Sequence, residues 1–171
     1  LPIWIATFHR PLEAFSRYNS PVARTNVQRL CLRRARNACE VAAGLTPEVQ
    51  YYLTHSGDRE PGFLAELACE AVLGGATQIV IADSSSSLSP AKMHSATKQV
   101  VQAVDGGGSR SSNVIVSAHC HNQLGLALQN TVAAIEAGAM QVETCLLGIG
   151  DAGGNLALEQ LLAYEACFCS S

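Results

Sequence analysis

Short apolar runs alternate with longer amphipathic stretches along this chain of 171 residues. The apolar runs lie at residues 3–6, 49–53, 78–82, 114–116 and 141–146. In the longer stretches apolar residues recur every three or four positions, which is typical of a helix that buries one face. Short apolar runs between such helices are typical of strands buried on both faces. The pattern therefore predicts an α/β fold with a parallel sheet, built from about five strand–helix units.

Residue types that start and stop helices mark the predicted boundaries. Thr25 or Asn26 can cap the first long helix, and Pro61 opens the next one, as proline does at a first helical position. Gly138 ends a helix predicted over residues 124–136, since glycine is common just past a helix C-terminus. Two further helices are predicted, over residues 90–104 and from about residue 156.

An internal repeat supports this organisation. Residues 75–80, Gly-Ala-Thr-Gln-Ile-Val, echo residues 138–143, Gly-Ala-Met-Gln-Val-Glu. Each copy joins the end of a predicted helix to the start of a predicted strand. The separation between the copies fits two successive strand–helix units.

Polar side chains gather where the predicted strands end. His119 and His121 follow the run at 114–116, and Asn155 closes a glycine-rich turn at 148–155. Side chains two apart on a strand share a face, about 6–7 Å from each other. Two imidazoles so placed can share one metal ion. The carboxyl ends of parallel strands are where α/β proteins build sites, so these residues are candidate ligands. Asn155 also suits the N-cap of the helix that follows it.

Composition narrows the class of protein. Apolar residues make up 48% and charged residues 15% of the chain, which is a globular composition with enough length for one sizeable core. The net charge of −3 argues against a nucleic-acid partner. No apolar run approaches the roughly 18 residues of a membrane span, and no signal peptide is predicted. The seven cysteines include no Cys-x-x-Cys pair. They predict free thiols in an intracellular reducing compartment, the cytoplasm or an organelle stroma or matrix.

Three segments carry a resemblance to a known family. They are His-Cys-His-Asn-Gln-Leu-Gly-Leu-Ala at 119–127, Glu-Ala-Gly-Ala-Met-Gln-Val-Glu at 136–143, and Gly-Ile-Gly-Asp-Ala-Gly-Gly-Asn at 148–155. In order and spacing they resemble the 2-isopropylmalate synthase and homocitrate synthase family, and 2-isopropylmalate synthases most of all. The resemblance implies a (β/α)8 TIM barrel of which this chain holds strands four to eight. Residues 1–171 would then be one partial catalytic domain with no second domain.

The family uses a divalent cation at the barrel mouth to condense acetyl-CoA with a 2-oxo acid, in a Claisen-type reaction of leucine biosynthesis and related pathways. The resemblance implies that His119 and His121 bind this cation, which would be Mg, Mn, Zn or Co. It implies that Asn155 is a further ligand or lies close by. The expected small-molecule partners are therefore acetyl-CoA and a 2-oxo acid.

Further site residues follow from the same resemblance. Ser84 and Thr7 are expected to bind substrate, and the hydroxyl of Ser84 is expected to hold the substrate's carboxylate. Asp151 is a candidate catalytic residue, because it stands where the family has a glutamate.

The chain also departs from the family pattern. Thr54 replaces an active-site glutamate, Ala152 replaces an arginine, and Gln123 stands where the family usually has an aspartate. A loop of serines at 84–87 replaces a sequence with glycine and an aromatic residue, and residues 85–87 are expected to be a flexible polar loop.

These departures leave alternatives open. The first alternative is a catalytically inactive or truncated relative that acts as a partner or regulator of an intact synthase. A second, ranked lower, is a lyase such as 3-hydroxy-3-methylglutaryl-CoA lyase. Half a barrel would expose two sheet edges and unfinished apolar surface. Self-association into a homo-oligomer, or association with the missing half, is therefore expected.

Overall fold

Five parallel strands form one sheet in the computed structural model, which describes residues 3–6, 21–106 and 114–168. The strands are β1 (Ile3–Ala6), β2 (Val49–Leu53), β3 (Gln78–Asp83), β4 (Ile115–Cys120) and β5 (Gln141–Glu143). Their order in the sheet is their order in the chain, and each neighbouring pair is parallel. The predicted parallel α/β architecture is confirmed.

A helix follows each strand along the chain. The helices are α1 (Pro21–Ala43), α2 (Pro61–Leu73), α3 (Pro90–Gly106), α4 (Ala127–Glu136) and α5 (Leu158–Phe168). Short 3-10 turns lie at Ser56–Asp58 and Leu146–Gly148. Pro61 opens α2 as predicted. Contacts between α1 and α2, α2 and α3, and α3 and α4 make one continuous helical layer.

Three predicted boundaries are wrong. Helix α1 begins at Pro21, so Thr25 and Asn26 lie inside it and do not cap it. Helix α4 begins at Ala127, three residues later than predicted, because the Asn122 side chain accepts the Ala127 N–H and the chain turns before the helix. Strand β5 ends at Glu143, so the apolar residues after it are not in the strand.

The two copies of the internal repeat occupy equivalent places. Gly75 and Gly138 each follow a helix and have φ of +103° and +105°, a conformation that glycine adopts without steric cost. Ala76 and Ala139, next in the chain, are both buried. The repeat therefore marks the passages from α2 to β3 and from α4 to β5, two units apart as predicted.

Alternate strand residues give the sheet two unlike faces. The face toward the helices is apolar and buried, and includes Tyr51, Ile79, Ile81, Val116 and Ala118. The opposite face, called the inner face below, carries Gln50, Tyr52, Ser117, His119 and Glu143. Backbone register places His119 beside Glu143 on β5 and beside Ala82 on β3. The inner face therefore presents a row of polar groups near the carboxyl ends of the strands.

The six cysteines of the described residues are free thiols, as predicted. Burial raises the pKa of Cys39 and of Cys120 to about 12 in each case. Cys169 lies outside the described residues. In the same described ranges, the helices are all too short or too polar to cross a lipid bilayer.

Candidate metal centre

Two imidazole rings converge at the carboxyl end of β4. His119 lies in the strand with its side chain on the inner face, and His121 lies just beyond the strand. Their Nε2 atoms are 3.2 Å apart, and their ring centroids are 4.9 Å apart. The predicted convergence of the two side chains on one point is therefore present.

The other nitrogen of each ring is held by an acceptor. His119 Nδ1 lies 2.8 Å from Glu143 Oε2, and His121 Nδ1 lies 3.1 Å from the backbone oxygen of Ser84. Carboxylate and carbonyl oxygens only accept hydrogen bonds, so both Nδ1 atoms carry the proton when the rings are neutral. Both Nε2 atoms then present lone pairs toward the same point. Histidines that bind metals commonly have this outer partner, which fixes the tautomer.

Glu143 ends the segment at 136–143, and its sequence context predicts no role for it. Its Oε1 accepts hydrogen bonds from Tyr52 Oη at 2.7 Å and from Gln50 Nε2 at 3.1 Å, while its Oε2 faces His119. Burial, with the neighbouring Glu143, raises the pKa of Tyr52, so the phenol stays a donor. The Glu143 carboxylate lies beside the two rings, and a carboxylate in that place favours a cation at the point where they converge.

Asn155 reaches the site from the glycine-rich turn. An isolated backbone bridge pairs it with His121. Its Nδ2 donates to the Ile149 oxygen at 3.2 Å, while its Oδ1 is buried without a hydrogen-bond partner among the described residues. A buried oxygen left unpaired in this way is costly unless something else occupies it. Its position beside His121 fits an oxygen ligand.

Asn155 does not cap the following helix. Helix α5 begins at Leu158, and Asn155 instead donates its backbone N–H to the Gly148 oxygen at 3.0 Å. The predicted N-cap role is therefore wrong. A Cβ atom at Gly150 would overlap the Asn155 carboxamide, so the absence of a side chain at 150 makes room for it.

Ser84 holds the site from the β3 side. Its carbonyl accepts from His121, and its hydroxyl accepts the backbone N–H of His55 at 3.1 Å. The hydroxyl keeps its own proton to donate. The expected substrate contact itself stays a prediction. Thr7, the second predicted substrate residue, lies outside the described residues.

Hydrogen bonds join the serine loop to its surroundings at several points, and the flexibility expected of residues 85–87 stays a prediction. The buried Asp83 carboxylate accepts the backbone N–H groups of Ser87 and Leu88 at 2.9 and 3.3 Å. Burial raises the pKa of Asp83, with these two hydrogen bonds opposing the shift. Ser85 and Ser87 both reach the Asp58 carboxylate. The serines that stand in place of the family's loop sequence thus form a hydrogen-bonded network next to the candidate metal centre.

Thr54 and Asp151 are two further positions at which the sequence differs from the family pattern. Thr54 follows β2 and is buried, at the position where the resemblance implies a glutamate. Asp151 is exposed, and within residues 21–106 and 114–168 no hydrogen bond joins its carboxylate to either histidine. Its catalytic role stays a prediction. Those same ranges contain no cluster of three His, Cys, Asp or Glu side chains arranged as metal donors. The two imidazoles converge here, and the buried Asn155 amide oxygen belongs to the residue whose backbone is bridged to His121.

Sequence comparison identifies the family of the chain. The HMGL-like family matches residues 16–166 of the chain. The 2-isopropylmalate synthase of Xanthomonas axonopodis pv. citri is 39% identical over 121 residues, which are 71% of this chain and 22% of that protein. The 2-isopropylmalate synthase of Stenotrophomonas maltophilia is 37% identical over 130 residues, which are 76% of this chain and 24% of that protein. The matched region therefore spans less than a quarter of these relatives.

Solved structures show the same fold. The carboxyl transferase domain of Rhizobium etli pyruvate carboxylase aligns with a TM-score of 0.62 at 18% identity, over 78% of this chain and 22% of that chain. An HMG-CoA lyase from Acenitobacter baumannii, in complex with coenzyme A and 3-methylmalate, aligns with a TM-score of 0.56 at 23% identity. That alignment covers 70% of this chain and 40% of the lyase. The architecture is thus part of a TIM barrel, and the chain belongs to the HMGL-like family, with 2-isopropylmalate synthases among its curated relatives.

Proposed function

We propose that this chain forms the metal-binding part of a Claisen-type synthase barrel that condenses acetyl-CoA with a 2-oxo acid. The observation that carries the proposal is the convergence of His119 Nε2 and His121 Nε2, 3.2 Å apart, with both Nδ1 atoms held by acceptors. The similarity to 2-isopropylmalate synthases supports a branched 2-oxo acid and a place in leucine biosynthesis.

The chain's own groups suit this chemistry. His119, His121 and the Asn155 carboxamide oxygen would hold a divalent cation such as Zn, Mn, Co or Mg. A bound cation would act as a Lewis acid on the carbonyl of the 2-oxo acid. Ser84 offers a hydroxyl donor for the substrate carboxylate, and Glu143 supplies the charge that offsets part of the dication. The remaining ligands, and the base that takes a proton from acetyl-CoA, would come from other parts of the barrel.

A second function is favoured by one specific feature. Thr54 is buried where the family places an active-site glutamate, and a threonine hydroxyl is a poor proton acceptor. An inactive relative that keeps the metal centre and associates with an intact synthase would accommodate this replacement. The two functions share the metal centre and differ in turnover.

Metal binding is the first test. Calorimetric titration of Mn²⁺ or Zn²⁺ into the purified chain should show saturable binding, and the double variant His119→Ala/His121→Ala should lose it. His94→Ala is the matched control, since His94 lies on α3 away from the site and should leave binding unchanged. Equal binding by the double variant would overturn the proposed centre, and so would the absence of binding by the wild-type chain both alone and after co-refolding with the preceding barrel segment of a Xanthomonas relative.

Release of coenzyme A separates the two functions. The metal-loaded chain would be incubated with acetyl-CoA and a panel of 2-oxo acids. It would be tested alone and after co-refolding with the barrel segment that precedes the matched region in a Xanthomonas relative. Chromatography would follow coenzyme A, because the protein's own thiols react with thiol reagents. Release that depends on both histidines supports the synthase. Metal binding without release in either format supports the inactive relative.

A further inference from the structure

We propose that Glu143, oriented by Tyr52 and Gln50, is a positioning residue that fixes the tautomer of His119 and so aims its Nε2 lone pair at the metal. The inference deepens the proposed function and rests on the same centre. It concerns residues on β2 and β5 that reach the inner face from either side of β3 and β4.

The first step is the division of labour between the two carboxylate oxygens. Glu143 Oε1 takes both donors, Tyr52 Oη at 2.7 Å and Gln50 Nε2 at 3.1 Å. Oε2 is thereby left to His119 Nδ1 at 2.8 Å. Tyr52 also packs edge-on against the His119 ring, with centroids 6.4 Å apart. The carboxylate is therefore held in one orientation, with its free oxygen toward the histidine.

The second step is the consequence for the ring. A carboxylate accepts hydrogen bonds and a neutral imidazole carries one N–H, so that N–H must be at Nδ1 of His119. The charge of the carboxylate makes this hydrogen bond stronger than a neutral one. His121 is fixed in the same sense by the Ser84 carbonyl. Two acceptor nitrogens are thus held 3.2 Å apart with no proton of their own to place between them.

The third step is what an amide at position 143 would do. In Glu143→Gln, the two donors Tyr52 and Gln50 would select the amide oxygen, which leaves the NH2 group facing His119. The ring would then accept at Nδ1 and carry its proton at Nε2. That N–H would donate to His121 Nε2 across the existing 3.2 Å contact. The variant would complete a hydrogen-bond chain from β2 to Ser84 and lose the metal-binding lone pair.

The test reads the tautomer directly. Long-range ¹H–¹⁵N spectra of the metal-free protein at about pH 8.5, where histidines are ordinarily neutral, distinguish protonated from unprotonated ring nitrogens. Signals are assigned with single His-to-Gln variants. The wild-type protein should show His119 protonated at Nδ1, and Glu143→Gln should show it protonated at Nε2. An unchanged tautomer in the variant, or Nε2–H in the wild type, would overturn the proposal.

Metal affinity gives the second readout. Loss of an outer partner of a metal-binding histidine typically weakens affinity by about 10–100-fold. In Glu143→Gln the loss of metal affinity should lie in or beyond that range. The temperature of thermal unfolding of the metal-free variant should equal or exceed that of the metal-free wild type. Glu136→Gln, an exposed charge at the end of α4, is the matched control and should change neither readout. Wild-type affinity in Glu143→Gln would contradict the positioning role.

A second variant covers a failure of the first to fold. Tyr52→Phe keeps the carboxylate and one of its two donors, so His119 should stay protonated at Nδ1 with a smaller loss of metal affinity than in Glu143→Gln. A reversed tautomer in Tyr52→Phe would contradict the proposal. If the wild-type chain binds no metal, either alone or after the co-refolding described above, the proposed function fails, but the tautomers of the metal-free proteins still decide this inference.

Discussion

The middle of the chain and its C-terminal unit differ in how completely they are packed. Strand β3 has five of its six residues buried, and α2 buries five side chains, Phe63, Leu64, Leu67, Ala68 and Ala71. Strand β5 and helix α5 have no buried residue. Leu147 and Phe168 are 79% and 72% exposed. Exposed apolar surface of this kind usually meets another segment, which fits a match to only part of a longer barrel. The candidate metal centre sits where the two regions meet.

The largest effect should come from a pair of matched leucine truncations. Leu64→Ala removes a fully buried side chain from α2 and should lower the free energy of unfolding by about 2–5 kcal/mol. Leu162→Ala removes a side chain that is 58% exposed on α5 and should change it by less than about 0.5 kcal/mol. Urea unfolding measures both. A cost at Leu162 equal to that at Leu64 would show that α5 is covered, for instance by a second copy of the chain.

Two glycine substitutions should change the free energy of unfolding by smaller amounts, and in opposite directions. Gly150→Ala puts a Cβ atom into the Asn155 carboxamide and should cost about 1 kcal/mol, the low end for overpacking, because the turn is exposed. It should also weaken metal binding. Gly62→Ala meets no atom within 4 Å in the first turn of α2 and should stabilise the fold by about 0.4–1 kcal/mol. Wild-type metal affinity in Gly150→Ala would show that Asn155 is not a ligand.

Thiol labelling compares the two regions with the smallest change to the protein, because no residue of the middle region is substituted. Cys39 and Cys120 are buried with pKa values raised to about 12, so little thiolate is available at pH 8 and labelling should require unfolding. Cys167 is exposed on α5 and should react with a maleimide in the folded protein. A Cys169→Ser background separates Cys167 from its neighbour, and mass spectrometry of the C-terminal peptide reports the modification. Fast labelling of Cys39 would mean that the middle region opens easily.

Much of the fold could be predicted because it depends on local pattern. Buried strands and amphipathic helices leave periodic signals, and glycines such as Gly138 mark helix ends through their own backbone geometry. One error has a side-chain contact as its cause, and the end of β5 was not visible in the apolar pattern. Helix α4 starts late because the Asn122 side chain caps Ala127, and β5 stops early although apolar residues continue beyond it.

The candidate site was predictable only in part, for a related reason. His119 and His121 lie two positions apart, so strand geometry alone places them together. Glu143 reaches His119 through the register of β4 with β5, and Tyr52 reaches Glu143 across the inner face. Register between strands is not visible in either strand by itself. The resemblance to a family pointed to three segments but could not say which side chains touch.

The facing Nε2 atoms of His119 and His121 show how selection for function can act against selection for stability. Most of the described structure is locally consistent, but this contact is unfavourable until a cation or a proton fills it. A sequence chosen only for stability would relieve the conflict, and a single amide at position 143 would do so. At position 143 the residue that would best stabilise the fold therefore differs from the residue that best supports metal binding. A stability-guided redesign of this barrel would be expected to discard the glutamate first.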